Sequence, residues 1–188
     1  MSQPWTHVAA HSPAYPRENE HYVEPFWVSE RLFDEEDFIG GIYDPACGFG
    51  RIPQAAQKAG YVTYATDIVD RGYSGVRDFF EPSTVRWQNI VSNPPFDVFE
   101  EFARRALKCT AHKVALIMPT ARLNAARWLE STPLRRVWLL TPRPSMPPGK
   151  VILEKGKVGG GKSDYCWIVM EHGYRGKPEL KWMRRDKP

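Results

Sequence analysis

The sequence predicts an α/β fold in which a mostly parallel sheet is covered on both faces by helices. Three observations predict it. Short apolar or β-branched runs alternate with longer amphipathic stretches along most of the chain. A Gly-rich turn follows the first of these runs directly, as where a strand hands over to a helix. The last two strand-like runs are joined by a Gly-rich connection with no helical period, which predicts an antiparallel hairpin at one edge of the sheet.

The elements follow in order. Residues 1–20 hold Pro4, Pro13 and Pro16 among polar residues without an apolar period, so they predict a flexible N-terminal arm. Phe26 to Phe38 carries an apolar face (Trp27, Val28, Leu32, Phe33) amid acids and predicts a helix. Gly41 to Asp44 predicts a strand. Arg51 to Lys58 predicts a short helix stopped by Gly60, and Tyr61 to Thr66 a second strand ending in Asp67. Gln88 to Ser92 predicts a strand, Asp97 to Lys108 a helix and Lys113 to Met118 a buried strand. Ala121 to Leu129 predicts a helix, with strands at Val137 to Leu140 and Tyr165 to Met170. No internal repeat or interdomain linker interrupts this order. Residues 21–188 therefore predict a single domain, with residues 143–165 as a hairpin insertion.

Bulk properties narrow the class. A chain of 188 residues is long enough for one well-buried core and short for two. Its apolar stretches, such as Val114 to Met118, are far too short to span a bilayer, and no leader with a cleavage site is visible, so a cytoplasmic protein without a membrane partner is expected. Cys47, Cys109 and Cys166 show no Cys-x-x-Cys spacing and the five histidines form no ligand pair, so neither a disulfide frame nor a metal site is expected. The net charge of +4 and pI near 9.0 suit a polyanionic partner, and equally a basic surface of solvated lysines.

The segment Tyr43-Asp44-Pro45-Ala46-Cys47-Gly48-Phe49-Gly50 closes a strand and opens a helix. Gly48 and Gly50 let the backbone turn sharply and approach a ligand closely; a plain tight turn is the simpler reading. Asp67, at the end of the next strand, can accept hydrogen bonds from both ribose hydroxyls of a nucleoside. A nicotinamide dinucleotide would need the third glycine of G-x-G-x-x-G, where this chain has Pro53. Asp44 beside the turn would repel a pyrophosphate but suits a cofactor carrying an ammonium and a sulfonium. In Asp78-Phe79-Phe80 the carboxylate can accept an adenine amino group while a ring covers its face; the alternative is a core Phe pair with a solvated Asp.

Asn93-Pro94-Pro95-Phe96 follows a strand. Each proline forces the preceding residue into extended backbone, which makes the loop stiff, although a proline-rich turn alone would look the same. Its chemistry fits an aniline-like amine, whose lone pair is delocalised into the ring. The Asn93 side-chain oxygen and the Pro94 carbonyl can accept the amine's hydrogens and free the lone pair, and Phe96 can stack on the target base.

Together these residues resemble the amino-methylating branch of the class I methyltransferases, the group that includes the DNA N6-adenine methylases. Asp-Pro-Ala-Cys-Gly-Phe-Gly is similar to that family's cofactor loop and Asn-Pro-Pro-Phe to its catalytic loop. The resemblance implies a Rossmann-like fold with a mostly parallel seven-stranded sheet, and S-adenosyl-L-methionine as cofactor. It assigns Asp44, Gly48 and Gly50 to the methionine end, Asp67 to the ribose and Asp78 with Phe79 to the adenine, and it counts Ala46, Cys47 and Ile68 among the cofactor-binding residues. Asn93, Pro94, Pro95 and Phe96 become the catalytic set, with Asn93 also touching the cofactor. Tyr22 to Trp27 resembles the segment that closes over the cofactor, which adds Trp27. Arg143-Pro144-Ser145 with Tyr165-Cys166-Trp167 is similar to the C-terminal hairpin of small phage and prophage adenine methylases. The implied function is methyl transfer to the N6 of adenine in DNA, with the base flipped out of any duplex. Two departures stand out: no sizeable target-recognition domain, and Phe96 where many relatives have Tyr.

Gly156 to Ser163 matches the phosphate-loop pattern, but a strand-like run follows it rather than a helix, so an NTPase is not expected. Its lysines (Lys157 and Lys162, with Lys150 and Lys155 before them) could touch nucleic-acid phosphates or simply be solvated. RNA is the alternative polymer, although no RNA-binding module is visible. A protein glutamine amide is a further acceptor, but its methylases carry Tyr in the fourth loop position and a helical N-terminal domain. Cytosine N4 is also open, although relatives acting there tend to carry Ser at the Asn93 position. A cofactor-binding protein without catalysis is the last reading, opposed by the intact Asn93 and Asp44.

Overall fold

Eight strands form one sheet in a computed structural model that describes residues 21–155 and 163–186. The arm at 1–20 and the Gly/Lys-rich segment at 156–162 lie outside the described residues. In chain order the strands are β1 (Ile42–Asp44), β2 (Thr63–Asp67), β3 (Gly75–Val76), β4 (Trp87–Ser92), β5 (Thr110–Pro119), β6 (Leu134–Thr141), β7 (Tyr165–Glu171) and β8 (Glu179–Arg184). Their spatial order is β3-β2-β1-β4-β5-β7-β6-β8. The run from β3 to β5 is parallel throughout, and β7 is antiparallel to both β5 and β6. The mostly parallel, doubly covered sheet is the expected one, with eight strands where seven were expected.

The helices are α1 (Phe26–Glu35), α2 (Arg51–Lys58), α3 (Phe99–Cys109) and α4 (Gly149–Lys155). One core cluster packs Val28, Leu32, Ile52 and Ala56 of α1 and α2 against Val91, Ile117, Trp167 and Met183 of the sheet. On the other face Phe99, Phe102 and Ala106 of α3 pack on Ile90, Val114 and Leu116. Each large apolar side chain fully buried this way contributes roughly 1.5–3 kcal/mol. No helix among the described residues is long and apolar enough to cross a membrane.

Five details depart from the sequence reading. The first helix ends at Glu35, because Glu36 turns to extended backbone (φ −122°, ψ 126°) and sends its carboxylate into the sheet. The helix expected from Asp97 begins at Phe99, after a 3-10 turn at Phe96–Val98. Ala121 to Leu129 is not an α-helix but part of two 3-10 turns, Thr120–Ala125 and Arg127–Ser131, separated by Ala126 at φ −83°, ψ 50°. The β6–β7 pair is antiparallel as expected, but its connection carries α4 and β7 lies inside the sheet, with six of its seven residues buried. Finally, the edge belongs to β8, which pairs parallel with β6 where the sequence reading placed no strand; five of its six residues are exposed, Leu180 and Trp182 among them.

Candidate active site

The parallel strands β1, β2 and β4 end on Asp44, Asp67 and Ser92, side by side at their carboxyl ends, and the loops after them build the site. The first loop folds back on its own strand ends. Ala46 N–H donates to Asp44 Oδ1 (3.1 Å), Cys47 N–H to the Thr66 carbonyl (3.0 Å) and Gly48 N–H to Asp67 Oδ2 (2.8 Å). Gly50 starts α2 at φ +77°, and a β-carbon there would fall 2.4 Å from the Tyr73 ring, so both conformation and space demand glycine.

Asp44 is only 1% exposed. Its Oδ1 accepts from the Ser92 hydroxyl (2.7 Å) and from Ala46 N–H, while Oδ2 is buried with no partner among the described residues. Burial holds its carboxyl well above the usual carboxylate range, and the nearby Glu24 and Asp67 carboxylates push the same way. A buried orphan carboxylate oxygen is satisfied by a proton or by a bound cation. An ammonium or sulfonium group therefore fits this position, and a pyrophosphate does not.

Asp67 accepts Gly48 N–H on Oδ2 and Val69 N–H on Oδ1 (3.0 Å), with the Arg71 guanidinium 3.6 Å away. Each of its oxygens keeps a second lone pair for a hydroxyl. Asp78 Oδ1 accepts Phe80 N–H (2.8 Å), and the Phe79 ring packs 4.5 Å from Phe102 under the Arg105 guanidinium. A cleft of about 360 Å³ joins these groups to the second loop. Ala46, Asp67, Ile68, Asp78 and Phe79 line one part of it, and Asn93, Pro94, Pro95 and Phe96 another.

The second loop is fixed from both sides. Asn93 Nδ2 donates to the Tyr22 carbonyl (2.7 Å) and to Glu24 Oε2 (2.9 Å). Phe96 is half-buried: the Tyr22 ring lies nearly parallel to it at 6.1 Å, Tyr165 stands 6.1 Å away, and Arg122 lies over its face while donating to its carbonyl. Tyr22 and Glu24 belong to a strap, residues 21–24, that pairs with the segment before α4. Val23 N–H donates to the Pro147 carbonyl and Gly149 N–H to the His21 carbonyl. The His21 ring closes over Gly48, and burial together with Arg71 lowers its pKa to about 4.

Five of the expected residues do not line the cleft. Trp27, in the first turn of α1, packs against the core cluster that α1 and α2 form on the sheet. Cys47 is buried, hydrogen-bonded to the Ser74 hydroxyl (3.0 Å), with its thiol pushed up to about 12. Gly48 and Gly50 shape the loop from behind, and Asp44 lies beneath it. Sequence reasoning missed His21, Arg71 and Arg122, none of which stands in a motif, while Phe80 lay in the Asp78-Phe79-Phe80 segment without a role of its own. Tyr22 and Glu24 fell inside the resemblance without a role.

No protein-family model matches the sequence, and no curated protein matches it by sequence comparison. Solved structures do match. One is a modification subunit of a candidate type I restriction enzyme from Vibrio vulnificus YJ016, at 12% identity and TM-score 0.58, covering 92% of this chain and 48% of that one. Another is a candidate RNA methyltransferase from Pyrococcus horikoshii, at 14% identity and TM-score 0.54, covering 78% and 81%. A third is magnesium protoporphyrin IX methyltransferase from Synechocystis PCC 6803 with bound S-adenosylmethionine, at 13% identity and TM-score 0.50, covering 76% of each chain. The chain has the Rossmann-like methyltransferase fold. Within this methyltransferase fold the cleft lies at the carboxyl ends of the parallel strands, where open α/β sheets take their ligands.

Proposed function

We propose that this chain is an S-adenosylmethionine-dependent methyltransferase whose acceptor is the exocyclic N6 of adenine in DNA. The observation that carries the reading is the single cleft that lines Asp67, Asp78 and Phe79 up with Asn93-Pro94-Pro95-Phe96. Asp67 holds the ribose hydroxyls and Asp78 and Phe79 the adenine ring, while Asp44 lies beneath the loop that takes the cationic methionine end. When bound, the cofactor supplies an electrophilic methyl group on sulfur.

The chain's own residues prepare the acceptor. Asn93 Oδ1 and the Pro94 carbonyl accept the two hydrogens of the amine, which turns its lone pair out of the ring plane. The alkylated nitrogen is a strong acid and releases a proton to water, so the loop needs no basic side chain. Phe96 stacks on the flipped base, an interaction worth roughly 1–3 kcal/mol. RNA adenine is the second reading, supported by the candidate RNA methyltransferase among the structural neighbours. A protein glutamine amide is the third.

The test is to incubate the protein with labelled cofactor and DNA, RNA or protein, then digest and identify the methylated product. N6-methyladenine from DNA is expected, with Asn93→Ala lowering transfer at least hundredfold. Label found only in protein, or undiminished transfer by Asn93→Ala, overturns the nucleic-acid reading.

A further inference from the structure

The strap ahead of α1 does more than cover the cleft. An amide side chain presents an oxygen on one side and an NH₂ on the other, and only the oxygen can accept hydrogens from an acceptor amine. Which side faces the cleft is therefore decisive for Asn93. The Tyr22 carbonyl can only accept, so at 2.7 Å it requires the nitrogen on its side. The second hydrogen of Nδ2 goes to Glu24 Oε2 at 2.9 Å. With both donors engaged, Oδ1 is left over, and no donor among the described residues reaches it.

Glu24 is placed for this and for little else. It is 6% exposed, although glutamate is rarely buried without a cation. Arg51 from α2 spends its hydrogen bond on the Glu24 backbone carbonyl rather than the carboxylate, and Asp44 from β1 adds a like charge nearby. Burial raises the carboxyl to about 7, against the lowering pull of the Asn93 amide and the Arg51 charge. An apolar side chain here would leave the second Asn93 hydrogen without its acceptor.

We propose that Glu24 is a positioning residue: with the Tyr22 carbonyl it takes both hydrogens of the Asn93 amide and so presents Oδ1 to the acceptor amine. The inference rests on the acceptor role given to Asn93 above. What Glu24 contributes is an acceptor atom rather than a charge, so glutamine, whose Oε1 accepts the same hydrogen, serves in its place.

Two variants and one spectroscopic measurement test it. With saturating cofactor, E24L is expected to lower kcat about 10- to 100-fold, the scale of a misplaced reacting group, with cofactor Kd unchanged within about threefold. E24Q is expected to stay within about threefold of wild type. The Asn93 side-chain amide resonance, identified by its loss in N93D, is expected to be protected from solvent exchange in wild type and E24Q and to exchange freely in E24L. Wild-type kcat in E24L, a loss confined to cofactor Kd, or an E24Q as impaired as E24L overturns the assignment. So does rapid exchange of the Asn93 amide in the wild type, which decides the matter even where E24L does not fold. If N93A is inactive while E24L is not, only the Glu24 role falls; if N93A is fully active, the acceptor-site reading falls with it.

Discussion

Asp44 and Asp67 stand at the carboxyl ends of neighbouring strands, yet their surroundings give them different chemistry. Asp67 has backbone N–H groups on both oxygens and a guanidinium beside it, and each oxygen keeps a lone pair for a further hydrogen bond. Asp44 has one satisfied oxygen and one orphan in a buried setting. This difference gives a prediction at the residue scale. Asp44→Asn keeps the shape and removes the charge, so the ligand-free protein should change stability by no more than about 1 kcal/mol in urea unfolding. Affinity for S-adenosylmethionine by calorimetry should fall at least tenfold, about 1.4 kcal/mol. An unchanged Kd would remove Asp44 from the cofactor site. The two loops were legible at this scale because turn glycines and paired prolines constrain the backbone locally. Glu24 and Arg122 were not, since each gains its role from a partner about 70 or 26 positions away in the chain.

At the scale of elements, one acid just after α1 ties it to the far half of the sheet, beside the bonds of Arg31 to the Arg184 carbonyl and of the Trp167 indole to the Val28 carbonyl. Glu36, 3% exposed, accepts from Lys113 on β5 (3.0 Å) and from Arg136 and the Trp138 indole (2.9 Å) on β6. These partners hold its carboxyl below the usual range despite burial. Removing one member of a buried charged network strands the others, at a cost of roughly 3–5 kcal/mol. Glu36→Ala should therefore lower urea stability by about that amount while leaving cofactor Kd of the folded protein within about twofold. A loss under about 1 kcal/mol would show that the network does not anchor α1. Elements with a strong period were readable: α2 matches its expected bounds, and β4 and β5 lie within a few residues of theirs. Where pattern was weak the reading failed. The segment after β5 has enough alanine and leucine to suggest a helix, but it must cover the sheet while crossing it, and it does so in two 3-10 turns.

For the whole molecule, the buried acid of the strap makes stability depend on pH. Glu24 ionises near its ordinary 4.5 when unfolded and near 7 when folded. Between those values the folded state holds a proton that the unfolded state has lost. Rising pH therefore erodes stability across this window, by on the order of 3 kcal/mol once pH exceeds 7. His21 has the opposite sign, because its folded pKa near 4 lies below the ordinary 6.5 and it gains stability as pH rises between them. E24Q isolates the first contribution. Its stability relative to wild type should climb between pH 4.5 and 7 and then level off, as measured by urea unfolding across that range. A difference that is flat with pH would mean that Glu24 does not titrate in the folded protein.

The sequence by itself determined the alternating α/β order, the turn-forming glycines and the two loops with their acids and prolines. These depend on periodicity and on backbone rules that act within a few residues. It also placed Asn93 after a strand, where its loop would face a ligand. Only the tertiary structure decided that β7 runs inside the sheet, that β8 forms the edge, and that a strap from before α1 reaches Asn93. Those outcomes depend on which distant surfaces bury one another and on which buried polar atoms find partners, and neither is written in any local stretch of the chain.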